Sequence, residues 1–326
     1  MTKMKIISHT TKNPEKREYL RNGISEVAPH AELRFIENDD EVKGALSTAD
    51  VFFTYNFERD WWNEENNLKW IHIGGSGINH IRFPELVESG ITISNSRGVH
   101  GRNMAEYTLA AMLRFSQKFD LAEKYRIHRN WRIAKMPMTQ TSFTLAGKNA
   151  GIIGAGEVGF AVGELCRTMS MNTFGLTRSA KPKPSWADKW GTAENLPDLL
   201  KWSDFVVVCA PGIPETVGMI GAGEFELMKP SSYIINISRG NIIDEQALVD
   251  ALQDEQIAGA CLDVFTKEPL PENSQLFNVR NLFITPHIAG NYPGYSMDVI
   301  DMFLKNLKLY CESGRLINMV DLGRGY

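Results

Sequence analysis

The 326-residue chain has four cysteines and no C-x-x-C pair. Cys166, Cys209, Cys261 and Cys311 stand far apart, a pattern that signals neither a zinc site nor a disulfide framework. Three of them have apolar neighbours (Leu165, Val208, Leu262), so buried, reduced thiols and no bound metal are expected. No apolar run approaches the roughly 18 residues that a membrane span requires. The opening stretch MTKMKIISHTTKNPEK lacks the long apolar core of a secretory leader. The expectation is a cytoplasmic protein without a membrane partner. A strong charge of one sign is missing too: the formal net charge of -4 gives no general pull on nucleic acid. Low-complexity tracts and short-period repeats are absent. Small molecules are the natural partners.

What is present fits two ordinary α/β domains. Hydrophobic residues make up 43% and charged residues 23%, as in a globular protein, and the length suits two cores at about 150 residues each. Strand candidates at 4–8, 32–36, 49–55, 68–73 and 91–94 alternate with helical stretches at 14–27 and up to 89, which predicts a parallel sheet in a first domain ending near Arg97. Residues 104–119 carry helical apolar spacing and are expected to continue as one helix toward His128. The polar stretch 130–144, with Trp131 and Pro137, reads as an irregular excursion of the kind that serves a subunit interface. From residue 145 a second unit offers six strand candidates, at 150–153, 171–176, 205–209, 233–237, 257–263 and 282–285. That count suits a doubly wound dinucleotide-binding sheet. The last amphipathic helix, 295–312, is expected to return to the first domain, so the chain passes between domains near 98–103 and 289–294.

Residues 148–159, KNAGIIGAGEVG, organise the second unit. A β-branched run enters a Gly154-x-Gly156-x-x-Gly159 turn and an amphipathic helix leaves it. The first glycine permits the sharp turn, the second lets backbone approach a pyrophosphate, and the third brings helix against strand. At the end of the next strand an acidic side chain would accept the ribose 2′-hydroxyl of NAD. Here stand Thr177, Arg178 and Ser179, with no carboxylate. The fork of Arg178, the flanking hydroxyls and Lys181 or Lys183 suit a 2′-phosphate instead, which predicts NADPH in preference to NADH.

Three strand-end motifs follow: Asn236-Ile237-Ser238-Arg239-Gly240, Asp263-Val264-Phe265-Thr266-Lys267-Glu268-Pro269, and Thr285-Pro286-His287-Ile288-Ala289-Gly290. Parallel strands deliver their ligands at such ends. Arg239 can hold a carboxylate and polarise a carbonyl, while His287 is a candidate acid or base whose second ring nitrogen Glu268 can hold. Together with HGRNMAEYTLAAML at 100–113, Leu145-Ala146-Gly147-Lys148 and Ala210-Pro211-Gly212-Ile213-Pro214-Glu215-Thr216, these motifs make the chain resemble the D-isomer-specific 2-hydroxyacid dehydrogenase family over nearly its whole length.

The resemblance implies an α/β fold of two doubly wound parallel-sheet domains with a cleft between them. These are a flavodoxin-like substrate domain, residues 1–98 plus 292–326, and a Rossmann dinucleotide-binding domain, residues 99–291. It implies an oxidoreductase that reduces a 2-oxo acid of the glyoxylate or hydroxypyruvate type to the D-2-hydroxy acid, working as a homodimer. Arg239 binds the substrate, His287 donates the proton and Glu268 supports His287. Gly75, Ser76 and Gly77, in the Gly74 loop, receive the substrate carboxylate. Gly154, Gly156, Glu157, Val158 and Gly159 meet the pyrophosphate of NADP, or of NAD as second cofactor. Thr177, Arg178 and Ser179 meet the adenine ribose, Ala210, Pro211, Ile237, Ser238 and Gly290 line the cofactor, and Asp263 contacts the nicotinamide carboxamide.

Three positions depart from the family pattern. Glu157 stands where relatives carry a basic or apolar residue, Asn79 where an Asp is usual, and Thr177 where NAD-preferring members are acidic. His9, His30, His72, His80, His100 and His128 read as structural or exposed, and Trp61, Trp62 and Trp70 as packing. Trp131 matches a region that in relatives reaches toward a neighbouring subunit. Two alternatives stay open: a bulkier 2-oxo acid, admitted by the 52–62 region, and a dinucleotide-sensing protein without catalysis.

Overall fold

The structure, a computed structural model, describes residues 3–78 and 81–323, with residues 132–134 described by backbone alone. The expectations placed on Asn79 and His80 therefore lie outside the described residues. The chain divides into two compact units, Met1–Val99 with Tyr292–Tyr326, and His100–Asn291.

The first unit opens with β1 (Lys5–His9), α1 (Pro14–Val27), β2 (Glu32–Phe35), α2 (Asp39–Leu46), β3 (Val51–Thr54), β4 (Trp70–Ile73), α3 (Pro84–Glu88) and β5 (Thr92–Asn95). The strands form one parallel sheet in the order β2-β1-β3-β4-β5, the flavodoxin-like arrangement. Every residue of β3 and β4 is buried, because helices cover both faces of such a sheet and continuous apolar runs fill its centre. In register, Ile7 lies beside Phe52 and Phe52 beside Ile71. Helix α1 begins where Asn13 accepts a hydrogen bond from the Lys16 amide at 3.1 Å and Pro14 supplies the first turn.

The second unit begins with α4 (Gly101–Gln117), α5 (Phe119–Ile127) and α6 (Trp131–Thr141). The single helix expected toward His128 is broken, because Lys118 adopts the left-handed conformation at φ 57° and ends α4. The expected irregular excursion is corrected as well: α6 is a helix that carries Pro137 inside it, with Thr141 Oγ1 donating to the Pro137 carbonyl at 2.7 Å. There follow β6 (Asn149–Ile153), α7 (Glu157–Thr168), β7 (Asn172–Thr177), β8 (Lys189–Thr192), α8 (Leu196–Trp202), β9 (Phe205–Val208), α9 (Ala222–Leu227), β10 (Tyr233–Asn236), α10 (Glu245–Gln253), β11 (Gly259–Leu262) and β12 (Leu282–Ile284). All seven strands run parallel, in the order β12-β11-β10-β9-β6-β7-β8. The seventh strand, β8, pairs only with β7 at the sheet's edge. The order reverses between β6 and β9, and the crevice beyond the strand ends at such a reversal is where this architecture takes ligands.

The chain re-enters the first unit through α11 (Tyr295–Ser313), which buries Val299, Ile300, Phe303 and Leu307. Phe303 stacks on Phe53 with ring centres 4.3 Å apart and on Trp70 at 5.3 Å. Burying side chains of this size contributes roughly 1.5–3 kcal/mol each, enough to fix the helix on the sheet. Cys166 and Cys261 are buried, Cys209 is half-buried and Cys311 is exposed.

Candidate active site

The reversal point is built from the fingerprint. Gly154 has φ +90°, and a Cβ there would lie 2.5 Å from the backbone of Ala210, which follows β9, so only glycine fits. A Cβ on Gly159 would meet the Gly154 carbonyl oxygen at 2.4 Å, the close helix packing that the motif demands. At Gly156 a Cβ would meet nothing within 4 Å, so bare backbone at the head of α7 faces open space. A pyrophosphate fits that cradle, with the helix dipole aimed at it. Glu157 is exposed in the first turn of α7, where a carboxylate complements the dipole, a physical reason for the residue that the family pattern leaves unexplained. Val158 is half-buried beside it.

Beyond β7 the three ribose candidates separate. Arg178 and Ser179 are exposed, but Thr177 is buried and its Oγ1 donates to the Ser179 carbonyl at 2.9 Å. The Thr177 hydroxyl thereby ties the turn that carries Arg178 and Ser179. Trp190 Nε1 donates to the Lys181 carbonyl at 2.8 Å and holds the following loop from below.

Ala210, Ile237, Ser238 and Asp263 are buried, Gly290 is half-buried and Pro211 is exposed. Ser238 Oγ donates to the Ala210 carbonyl, joining the ends of β9 and β10. Arg239, next in sequence, is half-buried and donates from Nη1 to the Ser238 carbonyl at 2.7 Å. Burial pulls its guanidinium below the usual value and the charge of Glu268 opposes that pull. A burial cost that is only partly offset suits a group that receives an anion.

Glu268 divides its two oxygens. Oε1 accepts the Phe265 amide at 2.9 Å, and Oε2 lies 2.7 Å from His287 Nδ1. A carboxylate accepts hydrogen bonds, so Nδ1 carries the hydrogen and Nε2 is the nitrogen left for proton exchange. His287 itself has φ 53°, a conformation that costs a non-glycine residue roughly 1–2 kcal/mol. Its amide donates to the Asp263 carbonyl at 2.9 Å and to the Thr285 carbonyl at 3.0 Å. The structure thus brings Arg239, Glu268 and His287 onto the ends of consecutive strands.

Two residues of the 100–113 motif make contacts that the sequence reading, which took His100 as structural or exposed, did not foresee. His100 Nδ1 lies 3.0 Å from the Gly290 carbonyl oxygen; burial lowers its pKa from the ordinary value, and the charges of Arg239 and His287 push the same way. Tyr107 reaches from α4 to the end of β12, with its hydroxyl 2.5 Å from Thr285 Oγ1. Neither contact was legible in the sequence, because the partners lie some 180 residues away or more.

In the first unit Gly75, Ser76 and Gly77 form a half-buried loop after β4. Its carbonyls are tied back in succession: Gly74 O accepts from the Tyr295 hydroxyl at 2.7 Å, Gly75 O from the Ser96 amide at 3.3 Å, and Ser76 O from Asn95 Nδ2 at 2.8 Å. Carbonyls held that way orient the peptide planes of the loop. Among the described residues no group of three or more His, Cys, Asp or Glu is placed to hold a metal ion, and no helix is long and apolar enough to cross a membrane.

Comparison with known proteins gives a consistent picture. Residues 109–289 match the family model described as D-isomer specific 2-hydroxyacid dehydrogenase, NAD binding domain. A glyoxylate reductase from Pyrococcus furiosus is 35% identical over 282 residues, 82% of this chain and 83% of the relative. A D-3-phosphoglycerate dehydrogenase from Archaeoglobus fulgidus is 34% identical over 226 residues; that match takes in 69% of this chain but only 42% of the relative's length. Among solved structures, an NADPH-dependent glyoxylate/hydroxypyruvate reductase from Sinorhizobium meliloti, in complex with NADP and sulfate, superposes with a TM-score of 0.84 at 23% identity, covering 99% of this chain and 100% of that one.

Proposed function

The chain belongs to the D-isomer specific 2-hydroxyacid dehydrogenase family, and from that premise we propose that it reduces a small 2-oxo acid, of the glyoxylate and hydroxypyruvate type, to the D-2-hydroxy acid. The observation that carries this reading is the 2.7 Å bond between His287 Nδ1 and Glu268, which leaves Nε2 as the proton-exchanging nitrogen. When bound, a nicotinamide cofactor supplies the hydride. Arg239 grips the carboxylate and polarises the carbonyl with its planar fork. His287, as the imidazolium with a hydrogen on each ring nitrogen, gives its Nε2 proton to the carbonyl oxygen that becomes the hydroxyl, and Glu268 holds the Nδ1–H that the neutral ring keeps. Backbone amides of Gly75, Ser76 and Gly77 receive the acid's carboxylate, the role that successive N–H groups serve at anion sites.

NADPH is the preferred cofactor in this reading. The support is the exposed Arg178 and Ser179 where no carboxylate stands, together with the NADPH dependence stated for the Sinorhizobium relative. Gly154, Gly156, Val158 and Gly159 cradle the pyrophosphate. The test is absorbance at 340 nm with NADPH and with NADH across glyoxylate, hydroxypyruvate, pyruvate and bulkier 2-oxo acids. Oxidation of NADPH by the small acids is expected, and replacing Arg178 by Ala raises the KM for NADPH roughly tenfold while leaving that for NADH unchanged. A wild-type preference for NADH overturns the assignment to Arg178, and silence across the whole panel overturns the reductase.

A further inference from the structure

The turn that carries His287 is secured by side chains that take no part in the proton transfer itself. Asp263 is 1% exposed, and a carboxylate so buried needs several donors. Its Oδ1 accepts from Thr285 Oγ1 at 2.5 Å and from the Ile288 amide at 2.8 Å, and its Oδ2 from the Ala289 amide at 2.8 Å. Thr285 owns one hydroxyl hydrogen, and giving it to Asp263 leaves its oxygen an acceptor. The Tyr107 oxygen, 2.5 Å away, is therefore the donor of that bond. Cys261 Sγ lies 3.4 Å from the same phenol oxygen, whose hydrogen is committed, so the thiol donates there. Donation runs in one direction along α4 and the ends of β11 and β12: Cys261 to Tyr107, Tyr107 to Thr285, Thr285 to Asp263. Burial raises the phenol's pKa far above its ordinary value, so Tyr107 keeps the proton that it donates.

We propose that Tyr107 is a positioning residue for His287, acting through the Thr285 hydroxyl and the Asp263 carboxylate on the two amides that follow His287. The proposal rests on the reductase reading for its kinetic consequence alone. A phenol replaced by Phe leaves the Thr285 oxygen without its donor and free to turn from Asp263. The Ile288 and Ala289 amides then lose the fixed acceptor that keeps His287 in its left-handed turn. Proton delivery suffers, while Arg239 and the carboxylate loop are untouched.

The test compares wild type with Tyr107→Phe, Thr285→Val and Thr285→Ser by hydrogen exchange of peptides spanning 286–291, and by kcat and KM for the 2-oxo acid. Tyr107→Phe and Thr285→Val are expected to speed exchange at those amides about tenfold, with peptides of β10 unchanged, and to lower kcat by a similar factor with KM within about twofold. Thr285→Ser, which keeps the hydroxyl, behaves as wild type. Unchanged exchange, or faster exchange with an unchanged kcat, overturns the proposal, and so does acceleration spread over all peptides. If Tyr107→Phe does not fold, the two Thr285 variants carry the same comparison. If wild type reduces no 2-oxo acid, the reductase reading fails and local exchange alone decides the positioning.

Discussion

His72 shows what one buried side chain does to the whole chain's pH response. It is fully buried on β4, with Nδ1 2.7 Å from Ser94 Oγ and Nε2 3.1 Å from Ser96 Oγ, and burial lowers its pKa from 6.5 to about 3. The folded protein holds this imidazole neutral, whereas the unfolded chain protonates it below pH 6.5. The unfolded state therefore binds more protons between about 6.5 and 3, and stability falls as pH drops through that window. At pH 5 the loss from this one group is about 2 kcal/mol relative to neutral pH. Replacing His72 by Gln is expected to flatten the acid limb of unfolding free energy measured by urea titration at pH 7 and pH 5. An unchanged difference between the two pH values would refute the assignment.

At the scale of elements, the head of α7 gives a paired prediction. Gly159→Ala drives a methyl against the Gly154 carbonyl oxygen and is expected to cost stability, on the order of 1–3 kcal/mol. Gly156→Ala meets no protein atom, so stability stays near wild type while the KM for the dinucleotide rises several-fold. Thermal melts and cofactor titrations on both variants check it; a stable Gly159→Ala would contradict the packing. Elements with strong local signals were legible beforehand: α1 with its Asn13-Pro14 start, the apolar runs of β3, β4, β9 and β10, and the glycine turn. Those without such signals were not. Helix α2, DDEVKGAL, is short and interrupted by glycine, and β8, KWGT, is a four-residue edge strand with no buried face. Pro137 argued against α6, and no residue type marks the left-handed break at Lys118. The same logic holds in the site. Arg239, Glu268 and His287 stand in compact motifs, whereas the link from Tyr107 through Thr285 to Asp263 joins three separate elements and has no spacing to read.

At the scale of the molecule, four of the exposed large apolar side chains lie close together in sequence. Trp131 is 84% exposed, Ile127 63%, Met136 62% and Phe119 56%, all on or beside α5 and α6. Side chains of that size at such exposure mark an interaction surface, and a homodimer is the proposed use. Light scattering after gel filtration is expected to give about twice the 36.7 kDa chain mass for wild type and a single chain for Trp131→Glu. A monomeric wild type sinks the dimer. The divided first unit has a consequence in time. A ribosome delivers β1 to β5 first, then all of residues 100–291, and only afterwards the helix whose Phe303 stacks on Phe53 and Trp70. Through the synthesis of the entire second unit, the aromatic face of the first sheet waits without its native cover. The nascent chain is most open to chaperone capture in that interval, and a stall late in translation releases a sheet already primed to aggregate.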